Sequence, residues 1–190
     1  MWARPKVLDY AGLTRACIEC LAENTSDAVV APLLWGAIGG LPGLLGYRVV
    51  NTLDAMVGHR SARYAQFGTV AARLDDAANL VPARVAAALT LAVAPAVGGS
   101  VRSGWAAWCE DAPAHPSPNA GVCEAAAAGV LGVRLGGTTV YGGRVERRPD
   151  LGPDREPDAT DVRRMVRLSR SVEIGALALA GLVALLRGRR

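Results

Sequence analysis

The chain holds one phenylalanine and one lysine, Lys6, in 190 residues, and only 5% of it is aromatic. So little ring volume excludes a sheet core filled by large aromatics. The abundant alanine, glycine, valine and leucine favour closely packed helices instead. The scarcity of lysine also removes the standard phosphate loop: no G-x-x-x-x-G-K-[ST] occurs, and Lys6 stands in no such context. A serine nucleophile elbow and an H-E-x-x-H zinc helix are absent too.

Cysteine is sparse and poorly spaced for metal. Cys17 and Cys20 form one C-x-x-C, while Cys109 and Cys123 stand apart, so the two close pairs of a structural zinc site are missing. Cys17 and Cys20 read as small packing residues on a helix. The opening MWARPKVLDY lacks the apolar core of a secretory leader, so none is expected here. Basic residues exceed acidic ones by 21 to 17, but no basic run is interleaved with aromatics. A nucleic-acid partner is therefore not expected.

What the chain does have is apolar length. Half of it is hydrophobic, 51%, which is enough for one domain with a real core. Residues 28–46 are uncharged, as are 85–101 and 174–186. The first run contains Pro32, Pro42 and five glycines, which predicts a broken or re-entrant helix. The second is interrupted by Pro95, and the third ends in RGRR, a basic anchor suited to phospholipid headgroups. If the first two runs both crossed fully, the polar segments at 19–27 and 51–84 would face opposite sides of a bilayer. A single site cannot be assembled that way, so at least one run is expected not to span, and the first is the better candidate for a buried hairpin or re-entrant element. The fold class predicted is all-α: a multi-helix integral membrane protein with broken or re-entrant apolar helices, forming one domain over residues 1–190.

Polar residues cluster at helical spacing beside these runs. Glu19, Glu23 and Asp27 recur every four residues and form one acidic stripe, with Asn24 next to it. In RLDDAANLVPAR, Asp75 and Asn79 share a face at i and i+4, and Asp76 lies three residues from both Arg73 and Asn79. Adjacent acids with an amide are hard-oxygen ligands of the kind Mg²⁺ uses when it bridges to phosphates. Spacing alone fits a solvated helix end paired with Arg73 equally well. NTLDAM adds Asn51 and Asp54, with Arg48 one turn earlier, a stripe that can bind a phosphate and its metal together. His59, beside Arg60, reads as a surface or boundary residue. Ser117 and Asn119 precede an alanine-rich helix and read either as caps or as part of an anion site at its N-terminus. Glu124, inside that helix, would be costly to bury unpaired.

The remaining organisation is predicted coarsely. Residues 8–24 form an amphipathic helix, 49–57 and 70–80 form helices bearing polar residues, and 81–95 form an apolar helix. Residues 110–119 are a loop and 121–132 a helix. A glycine-rich turn over 135–143 and a charged connector over 144–161 lead to a final helix, which Thr160 is placed to cap.

Five segments in order carry a family resemblance: IECLAENTSDAVVAPLLW, YRVVNTLDAMVGHR, FGTVAARLDDAANLVPAR, HPSPNAG and LGVRLGGTTVYGG. Together they resemble the CobD/CbiB family of cobalamin biosynthesis, the adenosylcobinamide-phosphate synthases. Members of that family carry a membrane-embedded N-terminal portion with an Arg-Asp segment before the acidic helix, whereas Met1 here stands just short of that helix. The chain thus resembles the family's C-terminal portion. At Cys20 the family usually has a small hydroxyl residue.

The resemblance implies ATP-dependent amide ligation of adenosylcobyric acid with an amino-alcohol such as aminopropanol, or with its phosphate. It implies Mg²⁺ and ATP at the site, a multi-pass place in the cell membrane with the site on the cytoplasmic side, and other membrane enzymes of late cobalamin assembly as neighbours. On this reading Glu19, Glu23, Asp27 and Asn24 serve amine recognition and catalysis. Arg48, Asn51, Arg73, Arg84, Ser117 and Asn119 hold substrate phosphate, and Asp54, Asp75, Asp76 and Asn79 hold the metal. Two alternatives stand beside it: a Mg²⁺-dependent membrane transferase acting on a diphosphate, and a truncated, non-catalytic membrane subunit.

Overall fold

The computed structural model describes residues 10–58, 65–141 and 144–188. Lys6, His59, Arg60, Gly142, Gly143 and the last two arginines of RGRR lie outside the described residues. The described chain is helical apart from one two-stranded sheet. Three helical segments are long and apolar enough to cross a membrane: Tyr10–Gly58, Gln66–Val97 and Ala159–Gly188. The all-α membrane class expected from the sequence is the one observed.

The first of these segments is not a single rod. Helix α1 (Tyr10–Asn24) passes through a π turn, Thr25–Val30, into α2 (Ala31–Leu53). Within α2, Gly40 has φ 63° and ψ −154°, a region open essentially to glycine alone, and Pro42 follows it. The chain reverses there. Its returning arm lies so close to the outgoing one that a Cβ at Gly43 would sit 2.4 Å from the Trp35 carbonyl oxygen. Further along the returning arm, the Tyr47 hydroxyl lies 3.0 Å from the Asp27 carbonyl oxygen, which it can reach as donor. The proline- and glycine-rich run is thus a helical hairpin, and it returns Arg48, Asn51 and Asp54 to the end where Glu23 and Asp27 lie.

After a second π turn, Asp54–Gly58, helix α3 (Ala65–Val93) is continuous. This corrects the division into helices at 70–80 and 81–95, because Pro82 is accommodated inside one helix. A 3₁₀ turn, Ala94–Val97, leads to α4 (Val101–Glu110), which the sequence reading lacked. Ser100 caps α4, its Oγ accepting the Ser103 N–H at 3.1 Å. The 110–119 loop contains a short 3₁₀ turn, Ala112–Ala114.

Helix α5 (Ala120–Leu131) is the centre of the core and is buried on every side from Gly121 to Leu131. Its small residues permit this. A Cβ on Gly129 would sit 2.7 Å from the Gly104 Cα, so α4 and α5 pack backbone against backbone. Gly132, at φ 71°, ends α5.

Strands β1 (Leu135–Tyr141) and β2 (Arg144–Leu151) pair antiparallel, with Leu135 opposite Leu151, both fully buried. This corrects the turn and connector expected over 135–161. The glycines masked the β-branched run Thr138, Thr139, Val140, and the arginines of β2 masked its alternation. Helix α6 (Ala159–Gly188) follows. Its cap is Asp158, not Thr160: Asp158 Oδ1 accepts the N–H groups of Thr160 at 2.6 Å and Asp161 at 3.2 Å. Asp161 in turn accepts both guanidinium nitrogens of Arg155 at 2.9 Å and Arg164 at 3.0 Å, tying the hairpin's exit to α6.

The outer faces of the hairpin and of α6 are apolar. Ile38, Leu41 and Leu45 are exposed on one, and Leu177, Leu182 and Leu185 on the other, a surface suited to lipid. Cys17 and Cys20 are also exposed, which corrects their reading as packing residues.

Candidate functional site

One cavity of about 640 Å³ gathers residues from every helical segment that carried a polar motif. Glu23 and Asn24 come from the end of α1, Asp27 from the first π turn, Arg48 and Asn51 from the returning arm, and Asp54 from the second π turn. Asp75, Asp76 and Asn79 face it from α3, and Ser117 and Asn119 from the loop before α5. Two of these contributors lie in π turns, whose wider winding re-aims side chains that a regular helix would point elsewhere.

Hydrogen bonds fix the wall. Asn79 is 1% exposed; its Nδ2 donates to Asp75 Oδ2 at 3.0 Å, and its Oδ1 lies 2.9 Å from the Tyr47 hydroxyl. Asn51 Nδ2 donates to Asp75 Oδ1 at 3.4 Å. Asp75 is therefore held by two amides, while each carboxylate oxygen keeps lone-pair capacity for another ligand. Asn79 is better described as the support of Asp75 than as a metal ligand itself. Asn119 Nδ2 donates to the Asp76 carbonyl oxygen at 2.8 Å, locking the α5 loop to α3. Ser117 Oγ accepts the N–H groups of Asn119 at 3.3 Å and Ala120 at 3.2 Å, so it caps α5 and leaves fewer free amides there for an anion.

Electrostatically the cavity is acidic. Five carboxylates, Glu23, Asp27, Asp54, Asp75 and Asp76, line it together with one guanidinium, Arg48. Such a lining attracts cations and accepts a phosphate only with a metal to offset the charge. Among the described residues no three His, Cys, Asp or Glu side chains are gathered tightly enough to hold a metal ion alone. Mg²⁺ does not require that, since it usually takes one or two protein carboxylates and completes its shell with water and phosphate oxygens. Asp75, buttressed on both oxygens, fits that donor set.

A second cavity of about 420 Å³ adjoins the first and shares Glu23, Asp76, Ser117 and Ala120 with it. Its other walls include His115, Glu124 and Arg148.

A protein-family model described as "CobD/Cbib protein" matches residues 4–169. The chain belongs to the CobD/CbiB family. It is 57% identical over 176 residues to the "Cobalamin biosynthesis protein CobD" of Mycobacterium tuberculosis (strain ATCC 25618 / H37Rv), covering 93% of this chain and 56% of that protein. The protein of the same name from Geobacter metallireducens is 48% identical over 181 residues, covering 92% of this chain and 57% of the relative. That of Rhodobacter capsulatus is 45% identical over 183 residues, covering 96% and 57%. The chain thus spans a little over half the length of the curated CobD proteins it matches. No solved structure matches it.

Three residues placed at the site by the CobD/CbiB resemblance are not brought into the main cavity. Glu19 is turned to the hairpin, where its Oε1 accepts the Gly136 N–H at 2.7 Å. Arg73 is exposed, because two residues are about 200° around a helix and Asp75 takes the inner face. Arg84 lies behind the wall: it donates to Asn119 Oδ1 at 3.3 Å and to the Leu80 carbonyl oxygen at 2.8 Å. Cys20, where the CobD/CbiB family usually has a hydroxyl, still accepts a hydrogen bond, from Asn24 Nδ2 at 3.1 Å.

The sequence reading missed Tyr47, His115 and Arg148. Tyr47 and His115 each open a quoted family motif, a signal that was available. Arg148 lay in what read as a connector, and nothing local marks it.

Proposed function

We propose that the chain carries the site of a membrane ligase of cobalamin assembly, joining a carboxylate of adenosylcobyric acid to aminopropanol or its phosphate at the expense of ATP. The observation that carries this reading is the acidic cavity with Asp75 held by two amides and Arg48 facing it. A carboxylate at neutral pH has no good leaving group, so it must first be phosphorylated or adenylated. Its oxygen attacks phosphorus, the bond to the departing ADP or pyrophosphate breaks, and an acyl phosphate or adenylate results. The amine nitrogen then bonds to the carbonyl carbon, and the phosphate or AMP leaves with the C–O electron pair.

When bound, Mg²⁺ would supply charge neutralisation at the transferring phosphate. Asp75, with Asp76 or Asp54, would hold it, and Arg48 would bind a phosphate oxygen. Glu23, which lines both cavities, would face the incoming ammonium, and Asp27 would add its charge from the first. Asn51 and Asn79 position the Asp75 carboxylate, and Asn119 holds the Asp76 backbone. Because ATP is the co-substrate, the site is assigned to the cytoplasmic side, and the exposed apolar faces would sit in the lipid of the cell membrane beside other enzymes of late cobalamin assembly.

The test uses this chain joined to the family's N-terminal portion, in membranes, with adenosylcobyric acid, aminopropyl phosphate and Mg-ATP. The expected product has the summed mass of the two substrates less one water. No such product at any ATP concentration overturns the reading.

A further inference from the structure

Helix α5 carries a single ionisable acid, Glu124, among alanine, glycine, valine, cysteine and leucine. The residue is 1% exposed, yet it lines the second cavity. Its Oε2 has no hydrogen-bond partner among the described residues, and His115 Nε2 stands 3.8 Å from it, beyond hydrogen-bond range. His115 Nδ1 lies 3.1 Å from both the backbone nitrogen and the carbonyl oxygen of Ser117, which holds the ring against the loop before α5. A carboxylate buried with accepting capacity to spare destabilises the fold until something supplies donors. Alanine would serve packing better.

The same cavity is lined by Glu23 and Asp76. Three carboxylates against the one guanidinium of Arg148 leave the space an excess of negative charge, which selects a compact cation rich in N–H bonds. A primary ammonium has three donors and a full charge.

We propose that the second cavity is an ammonium subsite for the amine-bearing substrate, and that Glu124 takes the proton that frees the nucleophile. This rests on the ligase reading. The ammonium passes one proton to the Glu124 carboxylate, and the N–H electron pair stays on nitrogen. That pair forms the C–N bond as the C–O bond to phosphate breaks, and the second proton leaves with the phosphate. The shared lining of Glu23, Asp76 and Ser117 puts the freed amine next to the phosphate-handling cavity. Burial and the charges of Glu19 and Glu23 on α1 push Glu124 up to about 8, against the pull of Arg148 on β2, with His115 facing it from the loop. An acid in that range is a competent base near neutral pH.

Calorimetric titration of the detergent-purified chain at pH 8.5 tests this, with O-phosphoethanolamine as probe and ethyl phosphate as its amine-free counterpart. O-phosphoethanolamine is expected to bind more tightly than ethyl phosphate. E124Q should weaken the amine probe by about tenfold or more while leaving ethyl phosphate unchanged. E124D, which keeps the charge but withdraws it by one methylene, should fall between and serves if E124Q does not fold. No preference for the amine probe, or equal affinity in the wild type and whichever variant folds, overturns the subsite. Glu124-dependent amine binding without any ligation product would instead sink the ligase reading and leave the ammonium site standing.

Discussion

Trp35 donates its indole N–H to the Ala78 carbonyl oxygen, 3.1 Å away. Pro82 lies four residues beyond Ala78 and has no N–H to offer that carbonyl. The helical bond that α3 forgoes is replaced by one from the outgoing arm of the hairpin. In an apolar setting such replacement is what allows proline inside a helix. Trp35→Phe should keep the packing but strand the Ala78 oxygen, lowering stability by about 1–2 kcal/mol. Thermal unfolding in detergent measures it; an unchanged midpoint would show that the carbonyl finds another partner.

Gly40→Ala should cost more. At φ 63° and ψ −154° an alanine is strained by about 1–3 kcal/mol wherever its Cβ points. Relief of that strain would open the hairpin and separate Tyr47 from Asp27. Expression yield, and the protease sensitivity of the segment around Gly40, should both report the change. Gly46→Ala, with nothing near its Cβ, is the control that should behave as wild type.

Asp75→Asn and Asp76→Asn, in a version joined to the family's N-terminal portion, should each lower turnover on the order of a hundredfold or more at saturating substrate. Folding and membrane insertion should survive, since volume is kept. Asp150→Asn, on the exposed side of β2, should change little. Near-normal turnover in both core variants would return this helix end to a purely structural role.

Glu124 also predicts a dependence of stability on pH. Its folded value, about 8, lies above the ordinary 4.5, so between those limits the folded state holds a proton that the unfolded state has released. Stability from this group is therefore complete below about pH 4.5 and declines as pH rises towards 8. Glu124→Gln, neutral throughout, should raise the melting temperature more at pH 8.5 than at pH 5. An equal effect at both values would mean that the carboxylate is not burdened by burial.

Exposed Ile38, Leu41, Leu182 and Leu185 present too much apolar surface for water. The protein should sediment with membranes and require detergent for extraction. A monodisperse monomer recovered from the aqueous fraction without detergent would contradict this.

Much of the site was legible because helical spacing is local. Asp75 and Asn79 four residues apart had to share a face, and the Pro32, Pro42 and glycine content of one run foretold its break. The cavity that gathers Glu23, Arg48, Asp54 and Asp76 follows from those local patterns once the run folds back. The contacts that reassign Glu19 and Arg84 were not legible, since Gly136 lies 117 residues from Glu19 and Asn119 lies 35 from Arg84. The β hairpin was hidden for a different reason. Gly136 and Gly137, both at φ near 80°, sit inside β1 where glycine ordinarily signals a turn. Glu124 was recognised as costly to bury, but the cavity that gives the cost a purpose is walled by Glu23 of α1, Asp76 of α3 and Arg148 of β2, all far from it in sequence.

Because residues 28–46 turn back at Gly40, that run adds nothing to the parity of membrane passages. Counting apolar runs assigns it one crossing and so inverts the compartment of everything that follows. With the reversal, Glu23 before the run and Asp54 after it line one and the same cavity, whichever way the rest of the protein is oriented. Reporters inserted on either side of this hairpin would read the same face of the membrane.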